Sequence, residues 1–234
     1  MKGIYLVGGY PDRTGFKECC RVIAEKGFDF IEVGIPFNDP IAEGPVIAGA
    51  IGDALGAGVT PEGVVEEITL LDIGIPVYVM TYANIIHSYG IRRFSERMAP
   101  HLRGVIIPDL PNRMARRFRK EGFTIPIVPF ATLDTRESDI GMLDESESDF
   151  VYFVGLRGIT GAESDFTSPE LAEKARMLRR GTNKKIIIGF GIKTPEDARH
   201  ATALGDGYVI GTEAVRRQGD PGALGAYLEQ FADK

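Results

Sequence analysis

The chain has 234 residues and a net charge of −6, with 44% hydrophobic and 26% charged residues, 29 glycines and 14 prolines. That composition excludes a disordered tail and a disulfide miniprotein, and it bounds the chain to one large globular domain or two small ones. Its lysines and arginines are scattered rather than striped, which gives no electrostatic footprint for nucleic acid or an anionic membrane, so a small anionic ligand has to be held by a local site.

From the N-terminus, MKGIYLVGGYPD carries too short an apolar run for a signal peptide. No later segment reaches the roughly 18 apolar residues of a membrane span, so the expected location is the cytoplasm. Short β-branched apolar runs recur at residues 3–7, 28–33, 76–80, 104–107, 125–128, 150–154, 185–188 and 207–210. Between them, residues 12–25, 61–71, 91–98, 113–121, 168–179 and 195–204 have helical periodicity, several opened by Asp, Ser, Thr or Pro. The adjacent Cys19 and Cys20 fall in the first of these helices, cannot form an unstrained bridge with each other, and read as reduced, buried thiols. Continuous hydrophobicity in the strands means that both faces are buried, as in a parallel sheet covered by helices. Repeated strand–helix units with no intervening linker predict an α/β protein, a single (β/α)8 TIM barrel over residues 1–234, with its active site in the loops after the strand C-termini. A doubly wound open sheet is the rival, but Val7-Gly8-Gly9-Tyr10-Pro11 lacks the glycine spacing of its first turn.

In a barrel, polar residues at strand C-termini are the functional candidates. Glu32 interrupts the second apolar run near its end, which points its carboxyl group into the barrel mouth, where burial raises its pKa and suits it to acid–base work. A buried carboxylate paired with Lys or Arg is the structural alternative. Glu43 follows in a loop braced by Pro36, Pro40 and Pro45, placed to face Glu32 across a pocket and to divide acid and base roles with it. Three glycine segments, Gly158-Ile159-Thr160-Gly161, Gly189-Phe190-Gly191-Ile192 and Gly211-Thr212-Glu213-Ala214, follow the sixth, seventh and eighth strands. Glycine lets backbone N–H groups approach an anion, and a helix N-terminus favours it, so these segments read as a phosphate site; tight strand-to-helix turns are the alternative. Residues 159–167 read as a lid over the substrate, with ordinary loop flexibility as the alternative. His87, His101 and His200 lack metal-ligand spacing, so no metal site is expected, and Arg113, Arg116, Arg117, Arg119 and Lys120 read as one solvated helix face.

The runs IEVGIPFNDPIAEGP, VYVMTYANIIHSYG, VIIPDLP, FVYFVGLRGITGA, IIGFGIKTPEDA and GYVIGTEAV, with the opening YLVGGYPD, resemble the tryptophan synthase α-subunit family, in order and across nearly the whole chain. The resemblance implies a (β/α)8 barrel that cleaves indole-3-glycerol phosphate by a retro-aldol reaction into indole and glyceraldehyde 3-phosphate. It implies no cofactor of its own, and a pyridoxal-phosphate-dependent β-subunit as partner in an α2β2 complex. By motif position, Glu32 matches the general acid that protonates indole C3, and Glu43 stands where the family has an Asp that meets the indole N–H, one methylene longer in reach. Tyr82 and Tyr152 match pocket tyrosines, with Tyr152 grouped with the catalytic carboxylates. Asp109 matches the PDLP aspartate of the substrate site, and Thr160 the threonine that orders the catalytic loops. Gly161, Gly189, Gly191, Gly211 and Thr212 match the phosphate site.

Departures cluster near Glu43: Asn38 stands where Ser is usual, Ala48 where Gln is usual, and Gly49 and Gly52 weaken the helix that follows. Ile85 replaces a common Pro. The family's helix ahead of the first strand is expected to be missing or reduced. Two further readings follow from the altered loop: a barrel lyase or aldolase for another phosphorylated substrate, and a weakly catalytic binding subunit that activates a β-type partner.

Overall fold

The computed structural model describes residues 1–40, 43–155 and 165–232. Its strands are β1 (Lys2–Val7), β2 (Phe30–Gly34), β3 (Val77–Met80), β4 (Gly104–Ile106), β5 (Ile127–Val128), β6 (Phe130–Thr132), β7 (Phe150–Val154), β8 (Lys185–Ile188) and β9 (Gly207–Ile210). All pair in parallel, in the order β5-β4-β3-β2-β1-β9-β8-β7-β6. The two ends of that order, β5 and β6, are consecutive in the chain with only Pro129 between them. Proline has no N–H for a ladder. The segment therefore pairs with β4 before Pro129 and with β7 after it, while the Pro129 carbonyl accepts from Tyr152 N at 2.9 Å. This bent strand brings the sheet round on itself. The TIM barrel is present, with the expected fifth strand, 125–128, starting later and split in two.

Ten helices in the described residues clothe the strands: α1 (Arg13–Glu25), α2 (Pro45–Gly56), α3 (Pro61–Thr69), α4 (Ala83–Tyr89), α5 (Ile91–Met98), α6 (Ala115–Lys120), α7 (Pro169–Gly181), α8 (Pro195–Leu204), α9 (Thr212–Arg217) and α10 (Pro221–Leu228). Their starts follow local chemistry. Asp12, Thr60 and Asp220 side chains accept from first-turn amides of α1, α3 and α10, and Thr194 with Asp197 forms a reciprocal capping box on α8. The helix expected at 113–121 begins as a 3₁₀ turn (Asn112–Met114) before α6, and its arginines pair with Glu145, Glu121 and Glu147 on the surface. The glycines expected to weaken α2 do not prevent it: Gly49 and Gly52 sit on its exposed side. None of the described helices is long and apolar enough to cross a membrane.

Two apolar layers result from the strand period of two. Ile4, Leu6, Ile31 and Val33 face outward to the helices. Tyr5, Val7, Phe30, Tyr78, Phe150 and Tyr152 face the barrel interior. The Phe30, Tyr78 and Phe150 rings meet with centroids 5.0–5.7 Å apart and fill the barrel's lower interior. Glu32 and Tyr152 each lie one alternation nearer the strand C-termini, so they stand above this aromatic plug at the mouth. Cys19 and Cys20 are buried on α1, and burial raises both thiol pKa values, the Cys19 value to about 12.

Candidate active site

β2 carries Glu32 between Tyr5 of β1 and Tyr78 of β3 in the parallel register. Its carboxyl group is fully buried, and neither oxygen has a hydrogen-bond partner among the described residues. Burial without a partner disfavours the charged form. The pKa is pushed up to about 8 by burial, an effect the Tyr152 hydroxyl opposes and the Glu43 charge reinforces. Among the described residues no Lys or Arg satisfies this carboxyl group. Tyr152, on β7, is itself buried, and burial together with the Glu32 charge holds its hydroxyl well above the usual tyrosine range.

Glu43 stands just before α2, where Pro45 opens the helix. The Tyr82 hydroxyl donates to Glu43 Oε2 at 2.7 Å, and the Tyr82 ring packs on Phe37 with centroids 4.9 Å apart. Tyr82 sits immediately before α4, so the loops after β2 and β3 are clasped together by this bond. Tyr5 completes the cluster. Its hydroxyl is buried, and its pKa is raised by burial and then by the charges of Glu43 and Glu32. Two glycines make the room: a Cβ on Gly34 would lie 2.1 Å from the Tyr5 hydroxyl oxygen, and one on Gly189 would lie 1.9 Å from Tyr152 Cε1. Next to Tyr152, Gly189, Gly191, Gly211 and Thr212 line a cavity of about 40 Å³ that Lys193 also borders. Gly191 has φ +74°, a left-handed backbone that a side chain would strain.

The chain that builds this barrel mouth, with its buried Glu32, its tyrosine-held Glu43 and its adjoining glycine-lined cavity, matches a known family. The family model for the tryptophan synthase alpha chain matches residues 4–226. The chain belongs to the tryptophan synthase alpha chain family. It is 36% identical over 219 residues to the tryptophan synthase alpha chain of Syntrophotalea carbinolica, covering 91% of this chain and 85% of that one. The alpha chain of Dehalococcoides mccartyi is 35% identical over 225 residues, covering 93% and 87%. Among solved structures, Mycobacterium tuberculosis tryptophan synthase superposes with a TM-score of 0.89 at 26% identity, over 99% of this chain and 90% of that one. The Campylobacter jejuni alpha subunit gives 0.86 at 27% identity, over 98% and 94%. The lyase role in tryptophan biosynthesis follows from this membership, and neither alternative reading of the altered loop is favoured.

Of the residues expected in this alpha-chain site, Glu32, Glu43, Tyr82 and Tyr152 come together at the barrel mouth. Gly189, Gly191, Gly211 and Thr212 come together beside Tyr152. Asp109 stands apart: it is exposed, its Oδ1 accepts from Ala83 N at 2.9 Å at the start of α4, and it borders a separate groove with Phe130 and Thr132. Thr160, Gly161 and most of the expected lid lie outside the described residues. No group of three or more His, Cys, Asp or Glu able to hold a metal occurs among the described residues. Sequence reasoning missed Tyr5. Its signal was present, a polar-tipped residue two positions from both Gly3 and Val7 in an apolar run, but its orientation toward Glu32 needs the β1–β2 register.

Proposed function

We propose that this chain is a carbon–carbon lyase that cleaves indole-3-glycerol phosphate into indole and glyceraldehyde 3-phosphate in the cytoplasm. The carrying observation is Glu32, a fully buried carboxyl group without a hydrogen-bond partner among the described residues and with a pKa pushed up to about 8. Such a group keeps its proton at neutral pH and suits a general acid. Glu32 passes that proton to indole C3, which makes the ring a leaving group. The Glu32 carboxylate then takes the proton of the neighbouring glycerol hydroxyl. The hydroxyl oxygen becomes the aldehyde carbonyl, the carbon–carbon bond breaks, and its electrons return to the ring. Between these steps the ring nitrogen is positive, and Glu43, steadied by Tyr82, accepts its N–H and stabilises that charge. The scheme balances with no cofactor.

Tyr152 tempers the proton affinity that burial gives Glu32, and the residues around the small cavity, Gly189, Gly191, Gly211 and Thr212, hold the phosphate through backbone N–H groups and the Thr212 hydroxyl. Thr160 and Gly161 are assigned to loop ordering and phosphate binding by motif position, and Asp109 to the substrate site, where its bond to Ala83 N steadies the loop carrying Tyr82. A tryptophan synthase β-subunit is the proposed partner. An open groove of about 310 Å³ between the loop after β2 and α4, bordered by Phe37, Asn84, Ile85 and Tyr89, supports docking on this face.

The test is indole release from indole-3-glycerol phosphate by the full chain, with and without a β-subunit, beside Glu32→Gln. Turnover is expected in the wild type and a fall of about 100-fold or more in the variant. No indole in either mixture refutes the reading.

A further inference from the structure

The proposed phosphate site is built from glycines and a threonine, none of which carries charge, yet a phosphate monoester is a dianion near neutral pH. The cations nearest the cavity through α9 are already engaged: Arg217 Nη1 lies 2.6 Å from Glu213 Oε2, and Arg216 Nε lies 3.3 Å from Glu213 Oε1. Lys193 is different. It borders the cavity itself, and its ammonium group has no ion-pair or hydrogen-bond partner among the described residues. Its backbone is pinned on both sides, the N–H to Asp197 Oδ2 at 3.0 Å and the carbonyl to the Tyr227 hydroxyl at 2.8 Å. The Asp197 carboxylate forms no ion pair with that ammonium group; its Oδ2 is held in the capping box by Thr194 N at 2.8 Å and Thr194 Oγ1 at 2.9 Å. A half-buried lysine held at a cavity rim with its charge unspent is placed to meet an anion there.

We infer that Lys193 supplies the countercharge for the phosphate of the substrate and so sets the preference for a phosphorylated over an uncharged glycerol side chain. This rests on the phosphate site proposed above. Glycine amides give direction and close approach, and the lysine adds the charge-assisted contact that an uncharged analogue does not gain. Lys193 touches neither the ring carbon nor the hydroxyl that react in this scheme, so its loss acts on binding rather than on the chemical step.

The experiment titrates glycerol 3-phosphate, with glycerol as the uncharged control, into the full-length wild type, Lys193→Met and Lys193→Arg, and measures kcat and KM for indole release from indole-3-glycerol phosphate. Lys193→Met is expected to weaken glycerol 3-phosphate binding and raise KM about tenfold, with kcat changed less than about twofold and with a smaller salt dependence. Lys193→Arg, which keeps the charge, is expected to restore most of the affinity. Wild-type binding of glycerol 3-phosphate that persists undiminished in Lys193→Met overturns the role of Lys193 and leaves the phosphate site standing. Failure of the wild type to prefer glycerol 3-phosphate over glycerol overturns the phosphate site and the lysine's role with it.

Discussion

Replacing Glu32 by Gln should change how stability depends on pH, by an amount that follows from one group. In the folded chain Glu32 holds its proton up to about 8, against an ordinary value of 4.5. Below 4.5 both folded and unfolded chains carry the proton, and above 8 neither does. Between these limits the unfolded chain has lost a proton that the folded chain keeps, so stability falls as pH rises, by about 1.4 kcal/mol per unit. Glutamine does not titrate. From pH 5.5 to 7.5 the stability of Glu32→Gln relative to wild type should therefore rise by about 3 kcal/mol, which corresponds to roughly 6–12 °C in melting temperature at this chain length. The buried amide adds a constant penalty that shifts both points equally, so the change in the gap is the quantity to read. Urea unfolding of both proteins at the two pH values measures it. A gap that stays constant within about 0.5 kcal/mol refutes the argument, since Glu32 would then be ionised in the folded chain at neutral pH. The same proton should govern rate: wild-type kcat/KM is expected to fall tenfold per unit above about 8, as the acid is lost.

Tyr82→Phe removes the 2.7 Å bond to Glu43 and should lower kcat/KM for indole release about tenfold, the scale of a hydrogen bond to a charged group; an unchanged rate would mean that Glu43 needs no such support. Gly189→Ala places a methyl 1.9 Å from Tyr152 Cε1, so a loss of about 1–3 kcal/mol with reduced turnover is expected by thermal unfolding and indole assay. Gly49→Ala and Gly52→Ala meet nothing within 4 Å on the exposed side of α2 and should each add about 0.5–1 kcal/mol of stability without loss of indole release, which the same melts would detect.

Much of the barrel was readable residue by residue. The expected runs at 150–154, 185–188 and 207–210 coincide with β7, β8 and β9, and 91–98 and 195–204 with α5 and α8. These elements depend on neighbours in the chain: apolar runs, caps such as Thr194, and prolines at first turns. The split at Pro129 was not read, although the proline was in view, because its effect appears only when β4 and β7 compete for the same segment. Helices α4 and α10 were also outside the predicted set; each is under three turns long, too short for a clear period.

The same division runs through the site. Composition and local pattern alone determined that a carboxyl group would interrupt the second strand, and that glycine segments would follow the later ones, because a charge in an apolar run and a glycine at a strand end are visible without any partner. Only the tertiary structure decided what those residues meet. Closing the barrel brings Tyr152 from β7 to Glu32 on β2 and sets the Tyr5 hydroxyl over Gly34, while the loops carry Tyr82 to Glu43. The proton affinity of Glu32 follows from that closure: a carboxyl group titrates according to its solvent and its neighbours, and both are set by residues distant along the chain.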